Sequence, residues 1–354
     1  MIQRYEIRFF TVGKSSKGGD AIFIRIYDEN DHPSVIVIDG GYLDDGNRII
    51  RYMVDECQLT QIDYVINTHP DIDHISGLIT LFKSDEIRIG KLIMNRPWRD
   101  ANLKSSFFED GRITENSLNN RLRDSFKKAY ELEQTAIEKI GEDNIIHPCV
   151  GNTYLSCFKI LGPSTALYRE QLMASDKTPT VSCFSSIRAK CSKYLTEKYT
   201  GQTIEWFEDE STSAVNETSV ILAFYFPDRM FLFTGDAGKK ALNAALDYYE
   251  SLSDNNDADD FDVMQLPHHG SRKNISPSIL KRIDATTYYV SCPPDGLENG
   301  HYSRRLTNKI LEINPDARIF VTSGTWLSHS EGIEIKGHAA RKLVLNPEMD
   351  GKAT

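Results

Sequence analysis

The 354-residue chain reads as an α/β fold, and three stretches predict it. An apolar run, Tyr64-Val65-Ile66, leads through Asn67 and Thr68 into His69-Pro70-Asp71-Ile72-Asp73-His74, after which Gly77 and its apolar neighbours open a helix. Three alternating segments, 5–12, 20–27 and 34–39, precede it as a β-meander. Later, 216–226 and 229–236 form a strand pair, followed by a helix over 239–251 and another strand over 262–267.

Taken in order, residues 13–19 join the first two strands in a turn rich in Gly, Ser and Lys. A hairpin explains that turn better than a phosphate cradle does, and no helix follows to complete a cradle. Asp39 ends the third strand, where its carboxylate can orient the next loop from behind or cap a helix over 48–57. A helix over 75–82 and a strand over 87–94 follow. From 95 to 141 the chain is polar and helix-favouring, with apolar residues at helical spacing over 118–140. Arg121, Arg123, Lys127 and Lys128 suit a solvated face of that helix or the wall of a substrate path.

Residues 153–162 read as a strand ending in Gly-Pro, whereas 164–214 carry little strand pattern and suit an insertion over the site edge, where substrate choice is often made. An acidic loop spans 254–260. Helices over 277–283 and 304–313, strands over 285–291 and 318–322, and a polar tail complete the chain; His329 and His338 in that tail read as surface residues.

The chemistry concentrates at residues 69–74. Placing His69, Asp71, Asp73 and His74 together at a strand end is costly unless cations neutralise the carboxylates, because close like charges raise one another's pKa. Imidazole and carboxylate are the main ligand types for hydrolytic metals, and a divalent ion, or two, is the simplest neutraliser. Either aspartate taken by itself also suits a solvated acidic loop.

The His-x-Asp-x-Asp-His spacing resembles the His-x-His-x-Asp-His signature of the metallo-β-lactamase superfamily, with Asp71 in place of the second histidine. That variant looks like the soluble hydrolase domain of the bacterial DNA-uptake protein ComEC and its free-standing relatives. The strings VGKSSKGGDAIFIRI, VIVIDGG, NETSVILAF, FLFTGDAG and HHGS are similar to that subgroup in order and spacing. The resemblance implies a four-layered αββα sandwich over 1–354 as one domain, with helical or irregular insertions at about 95–150 and 164–214.

It further implies two divalent ions, Zn2+ or Mn2+, bridged by Asp236. One would be held by Asp73, His74, His268 and Asp236. The other would have His69, Asp71 and Asp236 and lack a ligand, with Asn216 the nearest polar candidate. Neighbouring residues of an extended chain point in different directions, so one of His268 and His269 is expected to ligate. His268 is assigned, and His269 is left as a substrate contact. Ser271 suits a phosphate oxygen near Gly270 or the N-cap of the following helix. Asp73 and His301 are the catalytic candidates, His301 for leaving-group protonation or phosphate binding.

With a hydroxide held between the two ions, the resemblance favours a nuclease or other phosphodiesterase acting on nucleic acid or an oligonucleotide. The residue types allow a small-molecule hydrolase of the lactonase or β-lactamase kind equally well. A third possibility is a hydrolase subunit that docks a protein partner through 95–215.

Composition sets the remaining bounds. Hydrophobic residues at 40% and charged residues at 26% are ordinary for a globular protein. No run of eighteen apolar residues is present, and the first residues lack the apolar core of a signal peptide, so a cytoplasmic protein without a membrane partner is expected. Six cysteines without a CxxC pair suggest reduced, mostly buried thiols. A net charge of -10 argues against extended non-specific nucleic-acid binding and leaves room for a local basic groove.

Overall fold

Alternation along the strands builds two sheets that meet face to face. The structure, a computed structural model, describes residues 2–14, 17–179, 211–226, 229–252, 261–294, 296, 302–324, 326–333 and 341–343. The first half runs β1 (Arg4–Phe9), β2 (Ala21–Tyr27), β3 (Pro33–Gly40), α1 (Leu43–Arg51), β4 (Gln61–Ile66), α2 (Ile72–Lys83), β5 (Arg88–Ile93), α3 (Glu115–Ser125), α4 (Lys127–Ile140) and β6 (Ile145–Ile146). There follow β7 (Thr153–Tyr154), β8 (Phe158–Gly162), α5 (Thr165–Ala174), β9 (Ile221–Tyr225), β10 (Met230–Phe233), α6 (Lys239–Ser251) and β11 (Val263–Gln265). The chain ends with α7 (Pro277–Ile283), β12 (Thr287–Val290), α8 (Arg304–Ile313), β13 (Arg318–Val321), β14 (Leu327–Glu331) and β15 (Arg341–Leu343).

One sheet has the order β14-β1-β2-β3-β4-β5-β6 and the other β15-β13-β12-β11-β10-β9-β8-β7. Ile22, Ile24, Ile36, Ile38 and Ile66 point inward against Phe158, Leu222, Phe224, Phe231 and Phe233 of the facing sheet. The alternate residues Phe23, Val35, Val37 and Val65 pack outward against α1, α2 and α4. On the other side, Leu161, Ala223, Leu232 and Met264 pack against α6, α7 and α8. Strands buried on both faces carry apolar residues at consecutive positions, which is why these runs look continuous in the sequence. The result is the four-layered αββα sandwich of the metallo-β-lactamase fold.

Within each sheet a parallel block, β3 to β6 and β10 to β13, brings strand C-termini to one edge. Loops that leave parallel strands at that edge are where such folds place ligands.

Several elements depart from the expectation. The helix over 118–140 is two helices: Phe126 leaves helical geometry at φ −111° and ψ 44°, and its ring is buried. The strand over 153–162 is a hairpin, with Leu155 and Ser156 at positive φ. The helix over 48–57 begins at Leu43 and ends in a π-helical turn over Tyr52–Glu56. Residues 216–218 are a 3-10 turn, so β9 starts only at Ile221. Part of the tail forms β14, which crosses over to pair with β1. His329 on it is half-buried, 3.2 Å from the Tyr289 hydroxyl and stacked on Tyr5, so it is not a plain surface residue.

Residues 95–150 form part of the outer layer, where Leu118, Leu122, Phe126, Leu132 and Ala136 join the core under α2. Arg121 and Lys127 are exposed, Lys128 pairs with Glu131, and the Arg123 guanidinium lies 5.3 Å over the Tyr130 ring. Among the described cysteines, Cys157 and Cys292 are buried, Cys57 is half-buried and Cys149 is exposed. Cys183, Cys191, His301, His338 and the acidic loop 254–260 lie outside the described residues. No helix among the described residues is long and apolar enough to cross a membrane.

Candidate metal centre

Four connections at the shared sheet edge supply the site: the loop after β4, the first turn of α2, the turn after β10 and the turn after β11. They are tied together by backbone. Val220 N–H donates to Thr68 O at 2.9 Å and His268 N–H to Gly235 O at 3.1 Å. Gly235, at φ +50°, lies so close to Thr68 that a Cβ would sit 2.7 Å from its hydroxyl. Gly77 lets α2 approach the end of β3, since a Cβ there would fall 1.8 Å from Gly40 O. These contacts bring His69, Asp71, Asp73, His74, Asp236, His268 and His269 into one cluster.

The Asp236 carboxylate divides that cluster. Its Oδ2 lies 3.5 Å from His69 Nε2 and 3.6 Å from His268 Nε2, and His69 Nε2 is 3.7 Å from Asp71 Oδ2. Its Oδ1 lies 3.4 Å from His74 Nε2 and 4.0 Å from His269 Nε2, and His269 Nε2 is 3.8 Å from Asp73 Oδ2. We call the first group the outer position, because the Asp71 and His268 side chains are 49% and 41% exposed. The second is the inner position, where His74 and His269 are buried.

This arrangement fits divalent cations. His69 Nε2, His74 Nε2 and Asp236 Oδ1 are buried and have no hydrogen-bond partner, a cost that folded proteins rarely bear unless an ion takes the place. Electrostatics agree. Burial opposes ionisation of Asp236, yet His268, His74, His69 and His269 around it hold its carboxyl well below the usual range. Burial likewise disfavours a charged His74, but Asp236 and Asp39 raise it well above an ordinary imidazole. With no cation, protons on the imidazoles balance the carboxylates; a cation would displace them.

The partition differs from the one expected. His268 belongs with His69 and Asp71, and His269 with Asp73 and His74. Both histidines face the cluster because the turn is not extended: His268 has φ 49° and His269 φ 56°. Successive left-handed residues turn the chain sharply, so adjacent side chains no longer diverge as they do on a strand. His268 also takes the place for which Asn216 was the nearest candidate. Asn216 is buried behind it, with Nδ2 3.1 Å from His268 Nδ1.

Asp39 serves the loop and not α1. Its carboxylate accepts from Thr68 N–H at 2.8 Å and from the Thr68 hydroxyl, and lies 2.7 Å from His74 Nδ1. The N-cap of α1 is Tyr42, whose N–H donates to Asp45. Ser271 does not cap α7: Ser276 does, and Ser271 Oγ accepts from Lys273 N–H at 3.3 Å.

Two further residues were not singled out from the sequence. Asp20 is buried behind the inner position, with Oδ1 3.8 Å from His269 Nδ1 and Oδ2 accepting from Gln265 Nε2 at 2.7 Å. Asn274 donates from Nδ2 to Asp236 O at 2.8 Å, which aims its Oδ1 at His268 Nδ1, 3.2 Å away. Asp20 opens an apolar strand, and a charge at a position that alternation buries was a usable signal. Asn274 carried none. Beside His69, a narrow crevice is lined by Asn95, Pro97, Phe126, Tyr168, Leu172 and Thr218, so both segments read as insertions reach the edge of the site.

Fold and site thus define an αββα sandwich with His/Asp groups that could hold divalent metal at the C-terminal edge of its parallel strands. The metallo-β-lactamase superfamily model matches residues 18–111 of this chain, which span the first motif. Among solved structures, the chain is similar to a diphosphatase from the PhnP family, with 12% identity, 93% of this chain and 99% of that chain covered, and a TM-score of 0.37. It is also similar to a long-form RNase Z from yeast, with 8% identity, 81% and 37% covered, and a TM-score of 0.38. A third is the SMB-1 metallo-β-lactamase, with 9% identity, 73% and 78% covered, and a TM-score of 0.30. At these identities and scores none of them says what this chain acts on. No curated protein matches it by sequence.

Proposed function

We propose that the chain is a metal-dependent hydrolase of phosphodiesters, with nucleic acid or an oligonucleotide as substrate. The observation that carries the hydrolase reading is Asp236, whose two oxygens each face a separate His/Asp set, one of them open to solvent. An open position distinguishes a reactive metal site from a structural one. Two divalent ions, Mn2+ or Zn2+, bound there would activate water and neutralise charge developing on both the attacking and leaving oxygens. The preference for phosphodiesters comes from the ComEC-like resemblance of the motifs.

The residues have distinct tasks in this reading. Asp236, His69, Asp71 and His268 hold the outer cation, and Asp236, Asp73, His74 and His269 the inner one. Burial works against ionisation of Asp73, but His269 and His74 keep its carboxyl depressed, so it stays ionised, suits a cation ligand and does not act as an acid. The resemblance offers His301 as the source of the proton for the leaving oxygen, with water on the ions as the alternative.

The test incubates purified protein with Mn2+ or Zn2+ and labelled single- and double-stranded DNA, RNA and bis-p-nitrophenyl phosphate. Cleavage that disappears in Asp73→Ala supports the proposal. Turnover of nitrocefin or lactones, with every phosphodiester left intact, replaces it with the small-molecule hydrolase.

A further inference from the structure

The back of each histidine ring differs between the two positions. At the inner one, His74 Nδ1 is 2.7 Å from the Asp39 carboxylate and His269 Nδ1 is 3.8 Å from the Asp20 carboxylate. At the outer one, His69 Nδ1 is 3.1 Å from the Thr68 hydroxyl, and His268 Nδ1 is 3.2 Å from the Asn274 amide oxygen. Since the Thr68 hydroxyl donates to Asp39, its lone pair is what meets His69 Nδ1–H. Likewise, Asn274 donates its amide hydrogens to Asp236 O and Ala237 O, leaving only its oxygen for His268. The groups differ in charge: a carboxylate at hydrogen-bond distance behind His74 and another 3.8 Å behind His269, against neutral groups behind the outer rings, where Asn216 Nδ2 also lies 3.1 Å from His268 Nδ1.

We infer that the two positions bind cations with unequal affinity, the inner one holding a resident ion and the outer one an exchangeable ion that is completed by substrate oxygen. The inference rests on the reading of these side chains as cation ligands. A carboxylate behind an imidazole raises its basicity, and loss of such a partner typically weakens metal binding by about 10–100-fold. Asp73, Asp236, Asp39 and Asp20 surround the inner position, whereas Asp71 and Asp236 face the outer one. Exposure acts in the same direction: Asp71 and His268 are 49% and 41% exposed at the outer position, where only His69 is buried, against 28% for Asp73 and buried His74 and His269 at the inner one. Asn274 is then the positioning residue of the outer site, coupling His268 to the backbone that carries Asp236.

Titration of chelator-treated protein with Mn2+, followed by calorimetry and by paramagnetic resonance of free Mn2+, tests this without any substrate. Wild type should bind one ion at least about tenfold more tightly than a second. Asn274→Ala should weaken the second ion and leave the first in place; Asp20→Asn should weaken the first. Two equal sites in wild type, or an Asn274→Ala variant that loses both ions together, would overturn the inference. Unequal sites in a protein that cleaves no phosphodiester would leave it standing and remove the proposed function instead.

Discussion

His74 Nδ1 lies 2.7 Å from Asp39 Oδ2, and the same carboxylate accepts the Thr68 N–H at 2.8 Å, so one buried aspartate fixes both a ring and the loop that carries His69. Asp39 stands at φ 52°, a conformation that asparagine adopts more readily than most residues. Asp39→Asn should therefore fold. Its inner-site affinity for Mn2+ should fall about 10–100-fold, read by calorimetry, with the circular dichroism spectrum unchanged.

Asp236 touches both positions through different oxygens, so its replacement should act on both. In Asp236→Asn, elemental analysis after gel filtration should find neither ion retained, and phosphodiester cleavage should fall to background. Retention of the outer ion alone would show that the carboxylate does not bridge.

Away from the centre, Asp100 offers a pH test. Burial raises its pKa, but His147 and Arg96 more than offset this and hold the carboxyl below the usual value. A depressed folded value means that the stabilisation is present above the unfolded pKa, near 3.9, and lost as pH falls through the folded value. Asp100→Asn should cost about 2 kcal/mol near neutrality and flatten the acid limb of the stability curve, as measured by urea unfolding from about pH 7 down to about pH 3.

Phe126 interrupts the α3–α4 pair and packs its buried ring at the crevice beside His69. Phe126→Ala should destabilise the fold by about 3–5 kcal/mol and enlarge that crevice. Denaturant unfolding reads the first effect. A shift in KM larger than any shift in kcat on an oligonucleotide would read the second.

The corrections share a physical cause. The apolar runs of β2, β3, β4 and β10 were legible because strands buried on both faces cannot hide polar residues. The 69–74 motif was legible because two imidazoles and two carboxylates crowd into six positions, a density that repels itself unless cations neutralise it. The break at Phe126 was not, since the apolar spacing from Leu118 to Ile140 continues through it and only packing shows where the axis turns. Nor was β14, whose short polar run forms a strand because β1 presents an unpaired edge to it.

By itself, the amino-acid sequence determined the α/β layering and a set of candidate cation ligands near residues 70, 236 and 268, because hydrophobic period and ligand type are local properties. Tertiary structure decided which histidine groups with which carboxylates, and that Asp20, Asp39 and Asn274 stand behind them. The reason is geometric: the direction of a side chain at the His268–His269 turn depends on left-handed backbone angles that contacts with Gly235 and neighbouring strands impose, and no residue spacing encodes them.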